Sequence, residues 1–282
     1  LGTKAHATMM NRREFTGLAA GAAATASISA NAAAQAGFGA PHPPIVPEND
    51  PAISVDRPQL RRPDGVVNAY AAYPTAVSAN TPGIVLVMAI WGVDDQLRDT
   101  VRRFAKAGFM CIAPDLYSRM RAPNDDGSTD IEAFKPFAAQ LQRKQYDGDL
   151  RSGGLHLLSK APKCKLGVAG FCMGGHIALI QALDNSDIFD AVAPFYGAVK
   201  DIDPIEIHIP VCGSYGEKDT SIPPDEVRTW RTALRVPNDI RVYGSAGHAF
   251  FDDTRSSYVA SAADDAWKRV LAFFKDQLGP QT

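Results

Sequence analysis

The chain reads as an α/β protein of three layers, a mostly parallel central sheet covered by helices on both faces. Two observations predict this. The apolar runs 84–90 and 166–169 are continuous, the mark of strands buried on both faces. Helix-spaced apolar patterns alternate with such runs along most of the chain, which implies parallel pairing through crossover helices. With 282 residues and 45% hydrophobic content, the chain can bury one substantial core.

Taken in order, residues 1–36 read as a targeting segment. Met10 is followed by Asn11-Arg12-Arg13-Glu14-Phe15, a weakly apolar Ala/Gly run, and Ala34-Gln35-Ala36. Paired arginines before such a run and an A-x-A site make a twin-arginine export signal, so the expected location is periplasmic or secreted. Residues before Met10 precede a plausible start. Cleavage after Ala36 takes the net charge from −2 to −4, by loss of Lys4, Arg12, Arg13 and Glu14. Residues 37–63, rich in proline, read as an extended lead-in without regular elements. The catalytic-type domain is expected over 64–282.

Within that domain, 66–73 fits an early strand and 84–90 a central one. Leu97, Val101, Phe104 and Ala105 recur at helical spacing, and Gly108 is a suitable stop. Residues 109–113 form the next strand, halted by Pro114-Asp115. Residues 124–130 are a polar loop, and 121–130 is a candidate lid. The stretch 131–160 is largely helical, with a break expected at 146–148. Strands follow at 166–169, 189–196, 209–216 and 240–243, with a helix over 225–234. A terminal helix carries Trp267, Val270, Leu271, Phe274 and Leu278 on one face and ends at Gly279-Pro280.

Composition narrows the function. No basic patch argues for nucleic acid, and no apolar run reaches the length needed to span a bilayer. Of four cysteines, Cys111, Cys164 and Cys212 read as small buried apolar residues with free thiols. The absence of C-x-x-C spacing argues against a metal site. No phosphate-binding loop implies a cofactor. The oligomeric state stays open, with a monomer as the expectation.

Chemistry concentrates in Gly170-Phe171-Cys172-Met173-Gly174-Gly175. A strand, a G-x-C-x-G turn and a helix make a nucleophile elbow with cysteine in the place of serine. A thiol nucleophile needs a base, and the base needs an orienting acid. His248, on the loop after the last strand, suits the base; His176, in the first turn after the elbow, is a candidate for touching substrate. Asp219, where the loop leaves strand 209–216, suits the acid, with Glu217 and Asp225 as competitors and Asp225 the better helix cap. The order nucleophile, acid, histidine is that of α/β-hydrolases.

Together with Ala113-Pro114-Asp115-Leu116-Tyr117-Ser118-Arg119, Gly247-His248-Ala249-Phe250 and Tyr258-Val259-Ala260-Ser261-Ala262-Ala263, the elbow resembles the dienelactone hydrolases (carboxymethylenebutenolidases) over roughly 65–278. The resemblance implies an eight-stranded α/β-hydrolase-like fold and cleavage of a lactone or activated ester through an acyl-cysteine. It assigns Cys172, Asp219 and His248 as the triad, and the N–H groups of Ile90 and Met173 as the oxyanion hole. Arg119 matches one of two arginines that anchor a substrate carboxylate, and Trp91 and Arg255 are further candidate substrate contacts.

Two departures stand out. Position 89, where the family carries a glutamate that switches the cysteine on, is Ala89. Either His248 alone generates the thiolate, which we favour, or Asp94 or Asp95 reaches in. The second anchoring arginine is replaced by Asp252. The expected substrate is therefore a small ester or lactone with its acyl group open. Other readings are a different electrophile on the same triad, a thioester or organophosphate, and a non-catalytic periplasmic binding protein that reuses the pocket.

Overall fold

The computed structural model describes residues 37, 39–123 and 130–279. The leader 1–36 lies outside the described residues, as does most of the candidate lid. Among the described residues nine strands form one sheet: β1 (Ile53–Asp56), β2 (Gln59–Arg62), β3 (Gly65–Pro74), β4 (Gly83–Val87), β5 (Met110–Pro114), β6 (Leu166–Phe171), β7 (Ala191–Phe195), β8 (Val211–Gly216) and β9 (Asn238–Tyr243). Their order is β1-β3-β5-β4-β6-β7-β8-β9, with β2 paired to β3 off this path. From β5 to β9 every pairing is parallel, whereas β1, β2 and β5 run antiparallel to β3. The parallel mixed sheet is the predicted one, with nine strands instead of the eight that the resemblance implied.

The extra pairing lies in the stretch read as a structureless lead-in. Pro51 precedes β1, and Pro58 and Pro63 fall between strands, where a missing N–H costs no ladder bond. The lead-in is also tied down. Asp99, 3% exposed, accepts the N–H groups of Ile45 (3.1 Å) and Val46 (2.8 Å) while pairing with Arg102 and Arg103. The N–H of Gly39 donates to the Asp253 carbonyl at 2.8 Å.

Six helices lie among the described residues: α1 (Asp95–Lys106), α2 (Lys135–Ala138), α3 (Arg143–Lys160), α4 (Met173–Asp184), α5 (Pro224–Ala233) and α6 (Ala260–Leu278). Consecutive residues of β6 show the layers. A methyl group on Gly154 of α3 would touch Leu166, and one on Gly167 would strike Phe274 of α6. Neighbouring strand residues point to opposite faces, so α3 and α6 lie on opposite sides. Phe104 of α1 meets Trp267 and Phe274 of α6 at centroid distances of 4.6 and 6.2 Å, placing α1 and α6 on one face. Arg143 of α3 binds Asp184 of α4 at 2.6 and 2.7 Å, which joins those two on the other.

The expected break at 146–148 is absent; α3 is continuous, and the chain turns earlier, over 139–142. Gly148 serves close approach, since a Cβ there would lie 2.0 Å from the Arg62 guanidinium. On α6, Val270, Phe274 and Leu278 are buried as predicted, with Trp267 and Leu271 half-buried at the edge of the stripe. Cys111 and Cys212 are buried, Cys164 is only half-buried, and all four thiols are free.

Strand β4 is followed by a crossover to β5 on one side, and β6 by a crossover to β7 on the other. A crevice opens at the carboxyl ends of two neighbours whose connections diverge in this way. Ile90 lies beyond the end of β4 and Cys172 just beyond β6.

Candidate active site

Cys172 follows β6 and caps α4 with φ 56° and ψ −118°, a conformation that costs a side-chain-bearing residue of order 1–3 kcal/mol. Two glycines make the turn sterically feasible. A Cβ on Gly170 would sit 2.1 Å from the Gly174 carbonyl oxygen, and one on Gly174 would sit 2.4 Å from the carbonyl oxygens of Val87 and Met88. The Cys172 N–H donates to the Phe195 carbonyl at 3.1 Å, fixing the elbow to the end of β7.

The loops after β8 and β9 bring two further side chains to Cys172. Backbone bonds join them, from Glu217 N–H to the Tyr243 carbonyl (2.9 Å) and from Lys218 N–H to the Ala246 carbonyl (2.8 Å). Asp219, 5% exposed, places Oδ2 2.8 Å from His248 Nδ1, and its Oδ1 accepts the N–H groups of Ser221 (2.8 Å) and Ile222 (2.9 Å). Burial would raise this carboxyl, but the His248 bond and those two amides outweigh it and hold Asp219 below the usual range. Burial also opposes charge on His248. Hydrogen bonds to Asp219 and Cys172 more than offset that, and the ring is pushed up to about 10. Both contacts favour the protonated ring, which lies between a carboxylate and a sulfur. Glu217 and Asp225 are both engaged with Arg228 instead, as a surface cluster.

These groups open on a cavity of about 600 Å³ lined mainly by apolar side chains. Cys172, His248, Ile90, Met173, Trp91, Arg255 and His176 all border it. Met173 is the first residue of α4, where amides lack intrahelical acceptors and the helix dipole favours negative charge. His176 is oriented by a 2.8 Å contact from Nδ1 to the Ala198 carbonyl. The Arg255 guanidinium stacks 3.8 Å from the centroid of the Trp91 ring.

Arg119 does not reach the cavity. Its guanidinium is bonded to both oxygens of Asp149 and to Asp64, so its charge is spent in an ion-pair cluster with Arg62. Asp95 also stays away, exposed beside Arg98. Asp94 does border the cavity, with its Oδ1 capping α1 by accepting the Leu97 N–H at 2.8 Å. Ala89 lies on the wall with no carboxylate of its own.

Two cavity residues were missed from the sequence. Tyr196, directly after β7, has φ 39° and packs its ring 5.2 Å from the His248 ring. Its phenol is pushed well above the usual value by burial, with further help from the nearby Asp252 and Cys172. Its place at the same strand-end edge as Cys172 was the available signal. Asp252 was noticed only as a missing arginine, yet it faces the cavity. Three of the four non-glycine residues with positive φ among those described, Cys172, Tyr196 and Ala249, border this cavity, so backbone strain is concentrated there. Among the described residues no cluster of His, Cys, Asp or Glu could hold a metal ion, and no helix is long and apolar enough to cross a membrane.

A cysteine elbow on a mostly parallel sheet, with acid and histidine from the next strand ends, defines an α/β-hydrolase. The dienelactone hydrolase family model matches residues 67–278. A protein named "Putative carboxymethylenebutenolidase" from Escherichia coli (strain K12) is 37% identical over 234 residues, covering 76% of this chain and 84% of that one. A protein of the same name from Methylorubrum extorquens is 34% identical over 232 residues, covering 75% and 77%. The crystal structure of a "Putative Dienelactone Hydrolase" from Klebsiella pneumoniae superposes with a TM-score of 0.73 at 33% identity, over 79% of this chain and 98% of that one. The chain belongs to the dienelactone hydrolase family.

Proposed function

We propose that the protein hydrolyses small carboxylic esters or lactones through an acyl-cysteine on Cys172. One observation carries this reading: Asp219 Oδ2 holds His248 Nδ1 at 2.8 Å, with Cys172 bonded to the same ring. The Cys172 sulfur, as a thiolate paired with the imidazolium, attacks the carbonyl carbon. Negative charge forming on the carbonyl oxygen is met by the N–H groups of Ile90 and Met173, donors worth about 3–4 kcal/mol each in comparable sites. The carbon–oxygen bond to the leaving group breaks, and His248 gives its proton to the departing alkoxide. In a lactone that oxygen stays attached to the acyl chain. The neutral His248 then takes a proton from water, the hydroxide attacks the thioester, and Cys172 leaves as thiolate. Asp219 keeps the ring oriented and its charge stabilised throughout. No glutamate stands at position 89, so the base alone keeps the sulfur activated in the resting protein.

The test is turnover of p-nitrophenyl acetate by the protein and by Cys172→Ala. Loss of turnover in the variant is expected; identical rates would leave the pocket a binding site without catalysis. We also propose export by the twin-arginine route, on the order of Arg12-Arg13, the apolar run and Ala34-Gln35-Ala36. Cell fractionation of the double lysine variant at Arg12 and Arg13 checks it; unchanged export would refute it.

A further inference from the structure

Ile90, one of the two oxyanion donors proposed above, lies on a turn that a neighbouring loop holds from behind. Strand β4 ends at Val87, and residues 89–92 then turn tightly, with the Gly92 N–H donating to the Ala89 carbonyl at 3.2 Å. The Ala89 carbonyl and the Ile90 N–H belong to one trans peptide and point in opposite directions. This bond therefore aims the N–H. The closing bond uses neither polar group of the middle peptide, Ile90–Trp91. That peptide is anchored from outside the turn: the Ile90 carbonyl accepts the Tyr117 hydroxyl at 3.0 Å. A carbonyl can only accept, so the phenol is the donor. Burial pushes that phenol well above its usual value, which keeps the proton in place. The Tyr117 ring is buried and backs the turn, since a Cβ on Gly92, where φ is 82°, would sit 3.5 Å from it. Tyr117 is itself fixed. Its N–H donates to Asp115 Oδ1 at 2.9 Å, its carbonyl accepts the Met120 N–H at 2.8 Å, and Phe137 of α2 packs on the ring at a centroid distance of 6.3 Å.

We propose that Tyr117 is a positioning residue for the oxyanion hole: its hydroxyl anchors the Ile90–Trp91 peptide and its ring backs Gly92, so the Ile90 N–H is aimed before substrate arrives. The proposal rests on the ester and lactone reading above and adds a residue to that site. The Ile90 Cα joins the two anchored peptides, so holding both fixes both of its backbone dihedrals. A donor already aimed stabilises an oxyanion more than one that must turn during the reaction. Ala89, Ile90 and Trp91 border the cavity whereas Tyr117 does not, so Tyr117 acts through the turn and not on substrate.

The experiment uses Tyr117→Phe, which keeps the ring against Gly92 and removes only the bond to Ile90. Two rates are measured on wild type and variant, p-nitrophenyl acetate turnover and alkylation of Cys172 by iodoacetamide. Acylation and deacylation both pass through an oxyanion, so kcat reads the hole whichever step limits. Alkylation displaces iodide at a saturated carbon and forms no oxyanion, so it reads the sulfur alone. Deleting an oxyanion donor costs about 10²–10³ in kcat, and loosening one costs less. In Tyr117→Phe kcat is expected to fall by about tenfold, with KM and the alkylation rate each within about twofold of wild type. Tyr117→Leu, which also withdraws the ring from Gly92, should show the same split with a larger fall in kcat. Unchanged kcat in either variant overturns this proposal alone. So does a parallel fall in kcat and alkylation, which would mark a general loosening of the site. No turnover by the wild-type protein overturns the hydrolase reading, and this proposal with it.

Discussion

Arg119 grips Asp149 with both arms of its guanidinium, Nη1 to Oδ2 at 2.8 Å and Nη2 to Oδ1 at 2.9 Å. Asp149 is 1% exposed and has Arg62 as its other partner, at 2.9 Å. A loop arginine that sequence similarity assigns to substrate is here the clasp between α3 and the loop after β5. Removing one cation from a buried carboxylate is costly, though Arg62 remains. Arg119→Ala should therefore lose about 2–3 kcal/mol of stability by denaturant titration. KM should change by equal factors for acidic and neutral esters. A selective rise in KM for acidic substrates would return Arg119 to a binding role.

Asp219 and Cys172 both raise His248 to about 10. A base whose folded value is raised stays protonated below that value, so the ion pair of His248 with Asp219 persists across neutral pH and is lost only as pH climbs through about 10. Asp219→Asn removes the largest favourable contribution and lowers the ring's affinity for its proton. Alkylation of Cys172 by iodoacetamide at pH 7 should then slow, and ester kcat should fall by about 10²–10⁴. Unchanged alkylation would show that Asp219 does not control the proton.

The turn at Cys172 leaves no room for a methyl group on Gly170, because the obstacle is the backbone oxygen of Gly174 and not a side chain that can rotate away. Gly170→Ala should cost about 3 kcal/mol and disturb the elbow. Its melting temperature and Cys172 alkylation rate should drop together. A variant with wild-type values for both would contradict the packing described.

Asp147 of α3 accepts the Gln181 amide at 2.6 Å and is pushed up to about 6 by burial, with a further rise from its hydrogen bond to Asp184 of α4. A carboxyl raised in the folded state holds its proton more tightly there than when unfolded. Stability therefore increases as pH falls through about 6 towards the unfolded value, and this contribution is absent above. Asp147→Asn, which keeps the shape and supplies a donor to Asp184, should stabilise by about 1–2 kcal/mol at pH 8. The gain should shrink as pH falls through about 6 and vanish only near the unfolded value of about 4. Melting temperatures at pH 8 and at about 4 decide; a gain independent of pH would place the cause elsewhere.

Much of the fold was legible because its strands are buried on both faces. Runs such as Ile84 to Val87 and Leu166 to Ala169 have no polar side to blur them, and the elbow glycines mark their turn by steric necessity. Asp219 and His248 were readable from their strand-end positions and their order. The strands β1 and β2 were not readable. Four residues each, Ile-Ser-Val-Asp and Gln-Leu-Arg-Arg, are too short to show a period, and only pairing with β3 makes them strands. The fate of Arg119 was hidden for a related reason: its partner is 30 residues away on a helix face, and local sequence carries no record of it. The same holds for Gly148, whose role depends on Arg62 from β2.

The bond from Gly39 N–H to the Asp253 carbonyl bears on how the protein should be handled. Asp253 sits five residues after His248 and beside Asp252, so the described chain begins by gripping the segment that carries the base and the cavity acid. An affinity tag or surface linker fused just ahead of this point would pull on that segment. The other end of the domain is the safer handle. There α6 closes against Gly167 at the start of β6, and Lys165 Nζ donates to the Gln277 carbonyl at 3.2 Å, on the side of the sheet's strands away from Cys172.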